Sequence, residues 1–362
     1  MRQYDMKAAP GEKTVIELKV TDQTSIRVLV IEGKKQGKTL VVTAGVHGCE
    51  YIGIEALRQL GQELEPENMS GRLILIPVVN EAGFYAGARQ VNPSDGKNLN
   101  REFPGKEDGT ITQRIAKVLE QEIYPVADFL MDLHGGDVNE KATPFVYFPY
   151  ETEEGVRDQA RGGAASLSLP YRVRSSAKNG FYSWAAQCGI PALLLERGGQ
   201  GMWSEREIEA YKENVLELMA HLKMTEMKKN VPEEQEEISQ SYYLEAPERG
   251  FWYPAVKEAG QIISRGIRRN IVKANIRDEQ RSNLENHVLT IHREIDIRML
   301  LYKVYVHITV ELGEPHTVRV AVAGGVAENG GVFVQLIPAA DFVFTMGIIA
   351  APHGVLTVFI QL

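Results

Sequence analysis

Along the first two thirds of the chain, short apolar runs alternate with longer stretches in which apolar residues recur every three or four positions. Residues 14–20, 26–32 and 39–45 are rich in Val, Ile and Leu, and Asp22-Gln23 and the run Gly33 to Lys38 separate them. They predict three strands, the first two a hairpin. Helical spacing of Ile54, Leu57 and Leu60 predicts a helix over 50–62. Residues 72–79 are almost continuously apolar, as in a strand covered on both faces. Further strands are predicted at 128–133, 145–148 and 190–196. Further helices are predicted at 110–124, with Thr110 placed to cap it, and at 152–166, 181–188 and 204–223. Strand and helix alternate, which predicts an α/β domain on a largely parallel sheet.

Two segments break the pattern. Residues 80–109 have little periodicity and many Asn, Gly, Asp and Pro, and a loop of that length in a compact domain is usually functional. Residues 226–240 carry the run Pro232-Glu233-Glu234-Gln235-Glu236-Glu237 and read as a charged linker. The expected organisation is therefore an α/β domain over 1–225, a linker over 226–240 and a small β domain over 241–362, where short strands are punctuated by Gly and Asn.

Composition narrows the function classes. The 362 residues are 44% hydrophobic and 24% charged, enough for a sizeable core and too ordered in pattern for a disordered chain. The net charge of −8 argues against non-specific nucleic-acid binding, which needs a basic face. Two cysteines, Cys49 and Cys188, fit a reducing compartment. Met1 to Lys13 has no apolar run of signal-peptide type, so the expected location is cytoplasmic. Residues 342–362 hold no Asp, Glu, Lys or Arg and would be long enough to span a bilayer. Gly347, Pro352, His353 and Gly354 break that stretch into β-branched pieces, which predicts strands rather than a membrane span.

Chemistry gathers where apolar strands end. Ala44-Gly45-Val46-His47-Gly48-Cys49-Glu50 follows one of them, and the three-residue spacing lets one turn aim His47 and Glu50 at one point. Imidazole with carboxylate suits zinc. Taken singly, His-x-x-Glu is a weak signal, equally at home in an ordinary helix N-terminus. Met131-Asp132-Leu133-His134-Gly135-Gly136 brings a second His to the end of a second strand, with Asp132 available to orient a ligand. Leu195-Glu196-Arg197-Gly198-Gly199 ends a third strand on a carboxylate, which is costly there unless paired, hydrated or working. The long loop contributes Arg89 and the pair Asn100-Arg101, residue types that stabilise an oxyanion or grip a carboxylate, although loop arginines are most often only solvated.

In this order, His47-x-x-Glu50, Asn80-x-x-Gly83, Arg89, Asn100-Arg101, His134 and Glu196 resemble the zinc carboxypeptidase superfamily. The nearer likeness is to its succinylglutamate desuccinylase/aspartoacylase branch. Gly45-Val46-His47-Gly48-x-Glu50, Asn98-Leu99-Asn100-Arg101-x-Phe103-Pro104 and Asp132-Leu133-His134 carry it, over roughly residues 38–205. A fainter echo sits at Arg249-Gly250-Phe251-Trp252. The resemblance implies a mixed, mainly parallel sheet flanked by helices, with a smaller C-terminal β domain. It implies one zinc ion per chain on His47, Glu50 and His134, Glu196 as catalytic glutamate, and Arg89 as stabiliser of the oxyanion. It implies that Asn100 and Arg101 hold the substrate carboxylate. The implied activity is hydrolysis of the amide bond of a small N-acyl amino acid, with carboxypeptidase action on short peptides as the alternative and a silent binding protein disfavoured by the complete residue set. The expected partner is a small carboxylate-bearing substrate; a homo-oligomer is allowed, and nucleic acid and membrane are not expected. Cys49 stands where relatives often carry a small polar residue and is expected as a neutral neighbour. Beyond about residue 265 the likeness fades.

The remaining notable residues have bland expectations. Trp184, Trp203 and Trp252 are expected to pack, Cys188 to be a small buried hydrophobe, and His221, His287, His292 and His307 to be surface or core histidines.

Overall fold

The computed structural model describes residues 4–226, 235–239 and 241, together with the backbone of six C-terminal strands. Its first unit is built on the strands β1 (Lys13–Lys19), β2 (Ser25–Glu32), β3 (Lys35–Ala44), β4 (Ser70–Ile76), β5 (Phe129–His134), β6 (Lys141–Pro149), β7 (Tyr171–Ser175), β8 (Ala192–Gly199) and β9 (Glu236–Ile238). The helices are α1 (Tyr51–Glu63), α2 (Glu81–Tyr85), α3 (Ile111–Glu122), α4 (Glu154–Ala164), α5 (Phe181–Gln187) and α6 (Glu205–His221). The nine strands form one sheet in the order β1-β2-β4-β3-β5-β8-β6-β7-β9. The four central strands, β4-β3-β5-β8, are mutually parallel. The β1–β2 hairpin joins β4 antiparallel on one side, and β6 joins β8 antiparallel on the other. The expected mixed, mainly parallel sheet is thus present.

Period-two alternation decides what each face carries. Leu40, Val42 and Ala44 of β3, Phe129, Met131 and Leu133 of β5, and Leu193 and Leu195 of β8 enter one core with α1, α4 and α6. Val41, Leu130, Ala192 and Leu194 enter the opposite core with α3 and α5. By the same alternation Thr43, Asp132, His134 and Glu196 fall on the α3/α5 side, and Arg197 on the α6 side.

Burial, not surface charge, fixes the helices. Ile52, Leu57 and Leu60 of α1 are each 5% exposed or less, and each such side chain contributes roughly 1.5–3 kcal/mol. The solvent-facing Arg58–Glu55 pair on the same helix adds little beside them.

Two strands lack an apolar signature. β7, Tyr-Arg-Val-Arg-Ser, alternates Arg172 and Arg174 with apolar residues. β9 lies inside the stretch that charge marks as a linker, and it pairs parallel with β7. It is held by charge: Glu237 accepts from Arg161 Nε at 2.7 Å, Arg172 Nε at 2.9 Å and Arg174 Nε at 2.8 Å. Residues 227–234 of that stretch lie outside the described residues.

The second unit holds β10 (Ile297–Met299) paired with β11 (Tyr302–Val304), and a four-stranded antiparallel sheet. That sheet consists of β12 (His307–Gly313), β13 (Thr317–Ala323), β14 (Thr345–Ala350) and β15 (Val355–Gln361), in the order β12-β13-β15-β14. The uncharged run 342–362 thus supplies two paired strands, and among the described residues no helix is long and apolar enough to cross a membrane. The Arg249–Trp252 echo, Trp252, His287 and His292 lie outside the described residues.

Burial alone would raise the Glu237 carboxyl, but the three arginines bring it down to about 2, below its ordinary 4.5. A depressed pKa means that its contribution is complete above pH 4.5 and is lost as pH falls toward 2. Glu237→Gln should therefore lower the hydrogen-exchange protection of 236–238 at pH 7, while the wild-type protein should lose that protection only below pH 4.5. Equal protection in both proteins would show that the strand ladder holds β9 without the carboxylate.

Candidate metal centre and active site

Three adjacent parallel strands, β3, β5 and β8, deliver the candidate residues from their carboxyl ends, where sites gather in open α/β sheets. After β3 the chain turns at Gly45, whose φ of +65° is a left-handed conformation open to glycine at little cost. Glu50 N–H then bonds His47 O at 3.3 Å, closing the turn that sets both side chains together. Glu50 occupies the N-cap position of α1, where the helix dipole favours a negative charge. A Cβ on Gly48 would lie 2.2 Å from the Gly83 carbonyl carbon, so the segment packs directly against the backbone of α2. His134 is the last residue of β5 and pairs with Glu196 of β8.

Glu50 bridges the two histidines. Its Oε1 lies 2.7 Å from His47 Nδ1 and its Oε2 lies 3.0 Å from His134 Nδ1. The Oε2 contact is close but lacks hydrogen-bond geometry, and Oε2 is buried without a hydrogen-bond partner. The outer ring nitrogens are both engaged. His47 Nε2 meets Asn98 Oδ1 at 3.2 Å, and His134 Nε2 meets Asp132 Oδ2 at 2.9 Å. Asp132, fully buried, also accepts from Thr43 Oγ1 at 2.7 Å. With each Nε2 held from outside, both Nδ1 atoms and the Glu50 carboxylate are left to converge, and one donor atom from each residue falls within 4.8 Å of the others. Two imidazoles and one carboxylate, whose Oε2 is buried and orphaned, fit a divalent cation of the zinc type.

The electrostatics are those of a closely coupled cluster. Burial would raise Glu50, but His134 and His47 bring it down to about 2. Burial would lower His134, yet Asp132 and Glu50 raise it well above the ordinary imidazole range. Burial and then the Glu50 charge push Glu196 well above the ordinary carboxylate range. Burial, Glu50 and Asp137 push the Cys49 thiol up to about 12, so it stands beside the cluster as a neutral group.

The loop residues are placed less simply. Arg89 makes its hydrogen bonds to Asp137 and Asn139, not to the His–Glu–His cluster. Asn100 is buried, and its Oδ1 accepts from Phe181 N–H at 2.9 Å at the start of α5. Its side-chain carbonyl therefore braces a helix. Arg101 is exposed, and its Nη1 donates to Asn100 O at 2.7 Å. Tyr211 of α6 donates to the carbonyls of His134 and Leu195, tying the ends of β5 and β8 together. Asn98, Thr43, Asp137 and Tyr211 are contributors that sequence reading did not single out; of these, only Asn98 lay within a motif noted there. Trp203, expected to pack, is 55% exposed, with the exposed Met202 beside it on a crevice lined by Glu50 and His134. Cys188, expected to be buried, is exposed at the end of α5.

The succinylglutamate desuccinylase/aspartoacylase catalytic domain matches residues 36–222. An N-alpha-acetyl-L-2,4-diaminobutyric acid deacetylase from Halomonas elongata is 30% identical over 226 residues, 62% of this chain and 64% of the relative. A succinylglutamate desuccinylase from Pseudomonas syringae pv. tomato is 25% identical over 206 residues, 52% of this chain and 60% of the relative. The chain thus spans under two thirds of the length of these curated relatives. The crystal structure of a succinylglutamate desuccinylase/aspartoacylase from Rhodobacter sphaeroides superposes with a TM-score of 0.63 at 25% identity, over 71% of this chain and 81% of that one.

The outer hydrogen bonds make a prediction about metal affinity. Asp132→Asn and Asn98→Ala should each weaken zinc binding by about 10- to 100-fold in chelator competition, and Asp132→Asn, which breaks a buried charged contact, should also lower the melting temperature. Unaltered affinity in both variants would mean that the ring orientations are set elsewhere.

Proposed function

Because the chain belongs to the succinylglutamate desuccinylase/aspartoacylase family, we propose that it is a zinc-dependent deacylase that hydrolyses the amide bond of a small N-acyl amino acid. The observation that carries this reading is the convergence of both Nδ1 atoms and the Glu50 carboxylate beside Glu196, on adjacent strand ends. The names of the two curated relatives, a deacetylase and a desuccinylase of amino-acid derivatives, support the substrate class. The chemistry is assigned to residues 1–225.

Zinc held by His47, Glu50 and His134 would supply a water of lowered pKa and polarise the acyl carbonyl. Glu196 takes the proton of the attacking water as its oxygen bonds to the acyl carbon. It then delivers that proton to the amine nitrogen as the C–N bond breaks, giving a carboxylic acid and a free amino acid. Burial and the Glu50 charge push its carboxyl upward, the direction that suits a carboxylate which takes up a proton and passes it on. Arg89 offers N–H donors to the oxygen that gains negative charge. Arg101, with the Asn100 amide, grips the substrate carboxylate, so that orientation supplies part of the rate.

The test pairs metal analysis of the purified protein with a panel of N-acyl amino acids and C-terminal dipeptides, assayed with and without chelator. About one zinc per chain and chelator-sensitive release of a free amino acid from the N-acyl substrates are expected. Preference for the dipeptides would move the assignment to a carboxypeptidase. Glu196→Gln should keep its zinc and lose roughly 10²- to 10⁴-fold in kcat; a fully active variant would defeat the mechanism.

A further inference from the structure

Asp137 lies three residues beyond His134, in the loop after β5, and its side chain is 2% exposed. A carboxylate removed from water to that extent is costly unless donors surround it. They do here, and they come from three segments. Arg89 Nε reaches both carboxylate oxygens at 2.9 Å, and Arg89 Nη2 reaches Oδ2 at 2.7 Å. Gln90 Nε2 donates at 3.3 Å, Val138 N–H donates from within the loop, and Cys49 Sγ lies 3.7 Å from Oδ1. Cys49 also contacts Arg89 O at 3.4 Å. Asp137 thereby joins the Arg89 segment to the two segments that carry Glu50 and His134.

The guanidinium itself is held at two of its three nitrogens. Nε and Nη2 are engaged by Asp137, and Nη2 also donates to Asn139 Oδ1 at 2.9 Å. The group is planar, so fixing two nitrogens fixes the plane and the direction of the third. Nη1 is left without a partner among the described residues, on a side chain that is 54% exposed. An arginine side chain of that exposure would otherwise retain its rotamer freedom, to be surrendered each time it met a developing charge. Donors set in place beforehand avoid that loss at the moment of reaction.

We infer that Asp137 is the positioning residue for Arg89, holding its guanidinium through Nε and Nη2 and presenting Nη1 as the edge that meets the substrate oxygen. The inference rests on the role proposed above for Arg89. Asp137 touches no reacting atom; it acts through the arginine, which distinguishes it from a loop carboxylate that merely supports the fold.

A double-mutant cycle on the full-length zinc-loaded chain separates the two, using the N-acyl amino acid that the wild-type protein turns over fastest. Asp137→Ala should lower kcat by about 10- to 100-fold with KM changed by less than roughly threefold. In an Arg89→Ala background the same substitution should cost nothing further, because the group it positions is gone. Asp137→Asn, which keeps one acceptor, should recover part of the loss. A readout independent of turnover is the side-chain Nε–H signal of Arg89 in a ¹H–¹⁵N NMR spectrum, assigned by its loss in Arg89→Lys. It should be resolved in the wild-type protein and averaged with solvent in Asp137→Ala. Losses that multiply across the cycle, wild-type turnover in Asp137→Ala, or an unchanged Nε–H signal would each overturn the inference. A wild-type chain that hydrolyses nothing would remove the function proposed above, and the NMR signal would then decide the restraint alone.

Discussion

A chain of short polar contacts runs from Thr43 through Asp132, His134, Glu50 and His47 to Asn98, and all but the last of these side chains are buried. Each member is expensive to bury alone and acceptable only because its neighbours answer it. Breaking such a buried charged contact on one side costs on the order of 3–5 kcal/mol, a large part of the stability of an ordinary domain. The arrangement of the site and the stability of the sheet are therefore one problem. Glu50 has the central place, since both of its oxygens face an imidazole and one of them is left without a hydrogen bond.

The sheet makes that chain possible. Alternation on β3, β5 and β8 sends hydrophobic side chains to both cores and, within the same strands, places Thr43, Asp132, His134 and Glu196 on a single side. Parallel pairing then brings three strand ends level. Arg197, one residue past Glu196, faces α6 instead, where it pairs with Glu207 and lies over the Tyr211 ring. Neighbouring positions on one strand thus serve opposite sides of the molecule, one toward the chemistry and one toward the helix that braces it.

What was legible in the sequence follows from the same physics. Buried central strands announce themselves as apolar runs, and β3, β4, β5 and β8 were all readable, as was each of the longer helices. The His47–Glu50 turn and His134 were readable because a polar group ending an apolar strand stands out. β7 was missed because its alternate positions are Arg172 and Arg174, and β9 because its anchor is Glu237, a charge that looks solvated until three arginines are found around it. Asp137 was invisible for another reason. It sits in a Gly-rich turn with no period, and its partner is 48 residues away in the chain. Asn100 and Arg101 were found by motif, but the motif did not tell that the Asn100 carbonyl is already committed to Phe181.

The parallel order of β3, β5 and β8 also bears on how such a molecule comes into being. Leu40 pairs with Phe129 and Leu130 with Ala192, so the central ladder closes over loops of many tens of residues, a topology that folds slowly. During synthesis the three nitrogen and oxygen donors are complete once His134 has emerged, yet the strand that flanks β5 on its far side is still unmade. A nascent chain therefore passes through an interval in which it holds His47, Glu50 and His134 with β3 and β5 made but β8 still absent. Metal captured in that interval would meet His47, Glu50 and His134 without Glu196 beside them. The order of the strands brings Glu196 to the His47–Glu50–His134 cluster only after the chain has been extended past β8.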